Sequence, residues 1–234
     1  MNELKRYNSS VGVIVPRETI INSCYVSTPK QLFMTLMAGE RPVFKEYNTA
    51  AKYYLRAVEI FNEIYCSDMT DFEYVLALNN YIVKNIQYDY SVLDKERYTA
   101  EDRESFEIDA PLFKGKGVCS AKSKFFSLMC CLANIKTVLI TGALKNSECD
   151  ARHAWNKVFL QKPNDDTTHW WNIDVTNNVT HRKNEVIPRM DYFLISDRQI
   201  QKTHTFIDYP NSSEYKQINF LAIGDYEYPR ANGG

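Results

Sequence analysis

The periodicity of apolar residues changes from helical to strand-like partway along this chain of 234 residues. Up to about residue 132, apolar side chains recur at steps of three and four, as they do on one face of an α-helix. Beyond residue 137, β-rich runs such as "KTVLITG", "HAWNKVFLQ" and "DYFLIS" alternate with turn-type clusters. Helices followed by strands, rather than interleaved with them, predict an α+β fold in a single domain.

Start signals mark the helices of the first half. A helix is predicted in "STPKQLFMTLMAG", with Ser27 or Thr28 as its N-cap. A second covers residues 48–65, and a third follows the capping box formed by Thr70 and Glu73. Before them, "VGVIV" predicts a strand, and near the other end Ser196 or Asp197 is positioned to cap a short helix.

The stretch "GKGVCSAKSKFFSLMCC" places one cysteine after two spaced glycines and before a helical run. Gly115 and Gly117 suit a turn with unusual backbone angles. The apolar residues after it share one helix face: Ala121, Phe125, Leu128 and Leu132. Cys119 is therefore predicted at a helix N-terminus, where unpaired N–H groups favour a thiolate. The alternative is that Cys119 is a small buried apolar residue, the commoner role of a free cysteine.

A thiolate nucleophile needs a base, and the base needs an acceptor that orients it. His153 begins the run "HAWNKVFL", and Asp174 ends the run "HWWNIDVT". A hairpin centred near residues 163–165 brings the neighbourhoods of these two residues together. The remaining histidines are interpreted as surface residues or, for the last, as structural: His169, His181 and His204.

Composition narrows the function classes. A net charge of −1 argues against nucleic acid or an anionic membrane surface as the main partner. No run of about 18 apolar residues exists, so no membrane span is expected. The first residues show no apolar leader segment, and a cytoplasmic location with reduced thiols is expected. The six cysteines form no CxxC pair, and no acidic calcium-loop motif is present, so neither zinc nor calcium binding is predicted.

Three blocks together resemble the transglutaminase-like superfamily: "GKGVCSAKSKFFSLMCCLANI", "ARHAWNKVFL" and "HWWNIDVT". Upstream, "ALNNYIVKNIQYDY" is similar to the segment that such proteins carry before their cysteine. The resemblance covers roughly residues 70–205. A single domain over residues 1–234 is predicted, with a core of about 45–210 and residues 1–45 as an extension packed on it.

The resemblance implies a papain-like α+β fold, with the cysteine helix packed on an antiparallel sheet. It also implies Cys119 as nucleophile, His153 as general base and acid, and Asp174 as the group that orients the imidazole. No metal or organic cofactor is implied for the acyl transfer. The backbone N–H of Cys119 is one expected oxyanion donor. Gln87 and Tyr88 are the two candidates for the second donor.

The chain departs from the family pattern just after the cysteine, where two lysines occur. Lys122 and Lys124 either alter the preference for substrate charge or are solvated helix residues, the usual position of lysine. The polar connection over residues 87–114 is predicted to border the cleft, because it leads directly into Cys119.

The expected activity is a cysteine peptidase or amidase acting on a protein or peptide substrate. Transfer of the acyl group to a lysine amine, giving a cross-link, is an alternative that the motifs leave open. A binding module that keeps the fold without the chemistry is a second alternative. Arylamine N-acetylation ranks last, because no Gly-rich phosphate-binding loop is evident.

Overall fold

The computed structural model describes residues 23–93, 95–145, 152–161, 167–182 and 185–206. Helices gather first along the chain and a five-stranded antiparallel sheet follows, as the sequence predicts for an α+β protein. The elements in chain order are β1 (Ser23–Tyr25), α1 (Pro29–Met37), β2 (Arg41–Val43), α2 (Thr49–Ile64), α3 (Asp71–Asn85), β3 (Gln87–Tyr88), α4 (Ala100–Glu104), β4 (Lys116–Gly117), α5 (Cys119–Leu132), β5 (Thr137–Leu144), β6 (Arg152–Gln161), β7 (Thr168–Ile173), β8 (Val179–Arg182), β9 (Glu185–Pro188), β10 (Phe193–Ile195), α6 (Asp197–Ile200) and β11 (His204–Phe206).

The main sheet has the strand order β10-β7-β6-β5-β11. Strands β6 and β7 form the predicted hairpin, with Gln161 opposite Thr168 next to the turn and Asn156 opposite Ile173 at the far end. On its other side β6 pairs with β5, and Gly142 lies opposite His153. The central strand β6 therefore carries His153 three positions before Asn156, the residue at which its pairing with β7 ends.

Helix α5 is the central helix, and it packs against β5 and β6 on one side and against α1, α2 and α3 on the other. The predicted apolar face is buried as expected: Ala121, Phe125, Leu128 and Leu132. Phe126, Met129 and Cys130 on other sides of the helix are buried too. A helix that is buried on nearly every side must be enclosed by other elements, and α5 is enclosed by the sheet and three helices.

Side-chain caps fix where the preceding helices start. The Thr28 side chain accepts from the backbone N–H of Gln31, and the Gln31 side chain accepts from the backbone N–H of Thr28. Of the two predicted candidates, Thr28 rather than Ser27 is therefore the N-cap of α1. Thr70 and Glu73 form the predicted capping box of α3. Each of these caps satisfies backbone N–H groups that have no partner within their own helix. Helix starts are thus set locally, as the sequence indicates.

The predicted strand "VGVIV" lies outside the described residues, as do Cys149 and residues 207–234. Val26, Leu32 and Phe44 from the predicted N-terminal extension belong to the same hydrophobic core as the central helix. The assignment of residues 1–234 to one domain stays a prediction. Among the residues that the structure describes, no helix is long and apolar enough to cross a membrane.

Candidate active site

Cys119 is the first residue of α5, the position that the sequence predicts. Its N-cap is Val118, whose side chain cannot accept a hydrogen bond from the first turn, so the N–H groups there are left to other partners. Gly115 has a φ of +61°, and a Cβ atom on Gly117 would lie 2.9 Å from the Cβ of Ala121. The two glycines therefore allow the chain to turn sharply and approach the helix closely before Cys119.

Buried polar side chains hold the cysteine helix on the strand that carries His153. The Ser123 hydroxyl donates to the carbonyl of Ala154 at 3.0 Å. In the opposite direction, Asn156 of β6 bonds to the helix: its Nδ2 donates to the carbonyl of Ser123 at 3.1 Å and to the Ser127 hydroxyl at 2.9 Å. These bonds fix the position of α5 along β6, and with it the position of Cys119 relative to His153.

His153 and Asp174 form a buried pair at the end of the hairpin. His153 Nε2 lies 2.8 Å from Asp174 Oδ2, and both side chains are almost fully enclosed. The imidazole also lies next to Cys119, which contributes to raising its pKa. The structure thus brings Cys119, His153 and Asp174 into one chain of contacts.

The carboxylate of Asp174 is held by several donors besides His153. Its Oδ1 accepts from the backbone N–H groups of Thr176 at 2.9 Å and of Asn177 at 3.3 Å. Its Oδ2 accepts from Asn177 Nδ2 at 2.7 Å. Burial favours the neutral acid, yet His153 and then His204 outweigh it and hold the pKa of Asp174 below its usual range. The carboxylate is therefore ionised and fixed in direction.

A second imidazole contacts the same oxygen, a contact that the sequence does not reveal. His204 begins strand β11, is fully buried, and places Nε2 3.1 Å from Asp174 Oδ2. Its other ring nitrogen lies 2.9 Å from the Thr203 hydroxyl. The ring also packs edge-on against Trp155. The sequence predicts a structural role for His204. In the structure, His204 directly contacts Asp174, the residue that orients His153.

The charge state of His153 follows from this environment. Burial of the ring opposes protonation, but Asp174 and then Cys119 outweigh it and raise the pKa of His153 to about 10. The imidazole is therefore protonated at neutral pH. A protonated imidazole beside Cys119 favours an ion pair with the thiolate, the state that attacks a carbonyl.

The two candidates for the second oxyanion donor lie in different places. Tyr88 is half-buried, and Cys119 is the neighbouring residue that, after burial, most affects the pKa of its hydroxyl. Burial and the neighbouring Cys119 raise the pKa of Tyr88, so its hydroxyl stays protonated and able to donate. Gln87 is exposed, and strand alternation directs it away from the face that carries Tyr88. The geometry thus favours Tyr88 over Gln87.

The buried side chain of Asp89 stabilises the segment that carries Tyr88. Asp89 accepts from the hydroxyls of Ser91 and Ser105, both at 2.6 Å, and pairs with Lys116 at 3.0 Å. Burial favours the neutral acid, but these donors outweigh it and lower the pKa of Asp89. Because Lys116 lies on β4, the bonds tie β3 to the strand directly before Cys119. The predicted connection over residues 87–114 therefore reaches the cysteine through Tyr88.

The two lysines after the cysteine have different environments. Lys124 donates to the carbonyl of Phe106 at 3.0 Å and pairs with Glu107. Lys122 is only 4% exposed, so the description of it as a solvated helix residue is wrong. Lys122 lies on the inner side of α5, where the helix packs against the sheet.

One group of described side chains has the residue types to bind a metal ion. Potential ligand atoms of His153, Asp174 and His204 all lie within 4.8 Å of one another. Each of these atoms already takes part in the hydrogen bonds around Asp174. A metal ion at this place would therefore compete with the His153–Asp174 pair rather than add to it.

Comparison with known proteins gives one extended match. The family model of the transglutaminase-like superfamily matches residues 58–175, which include Cys119, His153 and Asp174. No curated protein matches the sequence at a significant level.

Two solved structures are similar to this chain at low identity. A crystal structure of a TGase is 16% identical with a TM-score of 0.42, covering 79% of this chain and 39% of that one. A protein from Cytophaga hutchinsonii, provisionally described as a cysteine protease, is 17% identical with a TM-score of 0.38, covering 53% of this chain and 38% of its own. The chain therefore spans about two fifths of the length of either structure.

The family match extends over half of the chain, and the observed α+β architecture agrees with it. The chain belongs to the transglutaminase-like superfamily.

Proposed function

We propose that this protein is a thiol-dependent acyl-transfer enzyme that hydrolyses peptide or carboxamide bonds of a protein or peptide substrate. The single observation that supports this most is the arrangement at the N-terminus of α5. There, Cys119 faces an imidazole whose Nε2 is 2.8 Å from the buried carboxylate of Asp174. This is the order of groups that a cysteine nucleophile, its base and an orienting acceptor require.

The first half-reaction follows from that order. The Cys119 thiolate attacks the carbonyl carbon, and a C–S bond forms while the carbonyl oxygen takes the negative charge. We expect the N–H of Cys119 and the Tyr88 hydroxyl to donate to that oxygen; the position of Tyr88 next to Cys119 supports this. His153 then gives its proton to the amine nitrogen, the C–N bond breaks, and the amine leaves. A thioester on Cys119 remains.

Water completes the reaction. His153, now neutral, accepts a proton from a water molecule as the water oxygen attacks the thioester carbon. The C–S bond breaks, the carboxylic acid leaves, and Cys119 returns to the thiolate beside a protonated His153. Asp174 keeps the imidazole in one orientation throughout, because its carboxylate is fixed by its own donors. An amine in place of water would give a new amide. Hydrolysis and cross-linking therefore differ only in the molecule that accepts the acyl group.

The first test is site-resolved thiol labelling. Brief exposure to limiting iodoacetamide at pH 7, followed by peptide mass spectrometry, should label Cys119 before the exposed Cys24 and Cys66. His153→Ala should slow the labelling of Cys119 and leave the other two unchanged. His181→Ala, which alters an exposed histidine of β8, is the matched control and should behave as wild type.

A substrate assay then separates the possible outcomes. A mixed peptide library with a fluorescent primary amine present should give new peptide or carboxylate ends that Cys119→Ser abolishes. Incorporation of the amine as the main product would instead identify a cross-linking enzyme. Equal labelling of Cys119 and the exposed thiols, without turnover, would reject the proposed chemistry in favour of a binding module.

A further inference from the structure

His204 is a buried imidazole in contact with the carboxylate that orients His153, and the proposed reaction gives it no task. It lies on β11, beyond residues 58–175, which match the family model. Its Nε2 is 3.1 Å from Asp174 Oδ2, and none of its surface is exposed. A histidine buried at this place is either a core residue with satisfied hydrogen bonds or a part of the site, and its contacts decide between the two.

The direction of the hydrogen bond between His204 and Asp174 follows from the charge of the carboxylate. Burial favours the neutral acid, but His153 and then His204 hold the pKa of Asp174 below its usual range. An ionised carboxylate has no proton to donate, so Nε2 of His204 carries the proton and donates it to Oδ2. On the other side of the ring, Nδ1 lies 2.9 Å from the Thr203 hydroxyl, and both ring nitrogens therefore have partners.

Packing from several sides fixes the ring of His204. Its centroid lies 5.0 Å from that of Trp155 and 5.3 Å from that of Tyr192, and both contacts are edge-to-face. The strand that carries it is held as well, because β11 pairs with β5 and places His204 opposite Leu144. The Nε2–H of His204 therefore points in one direction before any substrate binds, as a preorganised donor requires.

The donors to Asp174 differ in where they are anchored. Thr176 and Asn177 lie in the same turn as Asp174 and would move with it. Among the described donors, only His153 and His204 belong to strands of the main sheet. His153 loses its positive charge when it protonates the leaving amine, and its attraction to the carboxylate then weakens. The bond from His204 is unchanged in that step, because His204 takes no part in the proton transfer.

We propose that His204 is a positioning residue that holds the Asp174 carboxylate toward His153 throughout the reaction. It acts through Asp174 and does not contact the substrate. The inference rests on the proposed function, and it extends the set of residues needed for that chemistry beyond Cys119, His153 and Asp174. It also gives β11 a part in the reaction, because this strand brings His204 to the site.

The test separates the hydrogen bond of His204 from its bulk. His204→Gln keeps a side-chain N–H that can donate to Asp174, whereas His204→Leu and His204→Phe keep only an apolar side chain. Steady-state kinetics are measured on a peptide substrate from the library assay. For the two apolar variants, kcat and kcat/KM should fall together by roughly 10–100-fold, as expected when a hydrogen bond to a charged group is lost. His204→Gln should recover most of the activity. His181→Leu, which alters an exposed histidine, should match wild type.

Nuclear magnetic resonance of the wild-type protein gives a second readout that does not depend on turnover. With nitrogen-labelled histidine, long-range proton–nitrogen correlation should show a proton on Nε2 of His204, and the ring is assigned through its contact with Trp155. His204→Gln should leave the Nε2–H signal of His153 in place, and His204→Leu should shift it, because the carboxylate is then no longer held. An unprotonated Nε2 in wild-type His204 would overturn the inference whatever the variants do.

The remaining outcomes are also decisive. Equal losses of kcat in His204→Leu and His204→Gln would mean that the ring acts by packing, and failure of both apolar variants to fold would mean a structural role; each would overturn the inference. A kcat for His204→Leu equal to that of an active wild type would overturn the inference and leave the proposed function intact. A wild-type protein with an unreactive Cys119 and no turnover would overturn the proposed function itself, and the inference with it.

Discussion

Tyr88 is the residue whose contact with Cys119 most directly concerns the transition state. In the structure Tyr88 lies next to Cys119, where the carbonyl oxygen of a substrate has to bind. A substrate oxygen bound there would accept hydrogen bonds from the Cys119 N–H and from the Tyr88 hydroxyl. Both groups would then donate hydrogen bonds to the oxygen as it gains negative charge in the transition state.

Tyr88→Phe should therefore lower kcat by roughly 10²–10³-fold with little change in KM, as loss of one oxyanion donor does elsewhere. Tyr90→Phe is the matched control, because Tyr90 is 72% exposed and its ring packs against Tyr88. Steady-state kinetics on any peptide substrate found by the library assay measures both variants. Equal kcat values for Tyr88→Phe and wild type would show that the second donor lies elsewhere.

For single residues, the sequence predicts the position of those that lie next to a local sequence signal, such as a glycine pair or the end of a strand. Cys119 follows two glycines and starts a helix, and His153 and Asp174 lie at the same end of two paired strands, so local patterns place all three. The contact of His204 with Asp174 and the burial of Lys122 depend on how distant segments pack. No periodicity or cap signal encodes such packing, and the sequence alone could not reveal it.

Among the elements, the edge strand β11 brings His204 to the site. It pairs with β5, where Gly142 lies opposite both Phe206 and, on the other side, His153. A Cβ atom on Gly142 would lie 1.9 Å from the carbonyl oxygen of Thr205 and 2.7 Å from the Trp155 ring. Gly142 therefore allows the close approach of β11 to β5 that places His204 against Asp174.

Gly142→Ala should displace β11 or the Trp155 ring and lower the free energy of unfolding by about 1–3 kcal/mol, the usual cost of overpacking. It should also slow the labelling of Cys119, because His204 would leave Asp174. Gly39→Ala is the control: its φ of +72° costs about 1–2 kcal/mol in strain, but nothing lies within 4 Å of the new Cβ. Urea unfolding and thiol labelling should show that both variants lose stability and only Gly142→Ala loses reactivity. Full reactivity in Gly142→Ala would contradict this account of the strand.

Elements with strong local signals are predicted well, and short ones are not. The capped helices α1 and α3 and the β6–β7 hairpin are confirmed because caps, helical periodicity and turn residues act over a few positions. The sequence indicates only a long connection where β3 begins and a glycine turn where β4 lies, and does not predict that the two pair as parallel strands. Each of these strands is two residues long, too short to show any period, and their pairing joins segments almost thirty residues apart.

For the whole molecule, the buried charges of the site link folding to pH. Asp174 has a lowered pKa, so its ionised form stabilises the fold above about pH 4, and this contribution is lost as the pH falls. His153 has a pKa raised to about 10, so its protonated form stabilises the fold fully below about pH 6.5. This second contribution is lost as the pH rises toward 10. The pair should therefore contribute most between about pH 4 and 6.5.

The stability of wild type relative to His153→Gln should thus depend on pH. The difference in free energy of unfolding should stay constant between about pH 4 and 6.5 and then fall, by up to about 1.4 kcal/mol per pH unit, toward pH 10. Lys122 titrates with a pKa of about 8 in the same range, but both proteins retain it, so its effect largely cancels in the difference. His181→Gln, which changes an exposed histidine, should show no such slope. Urea unfolding at pH 6, 8 and 9.5 measures these differences, and a flat profile for His153→Gln would mean that His153 is not protonated in the folded protein at neutral pH.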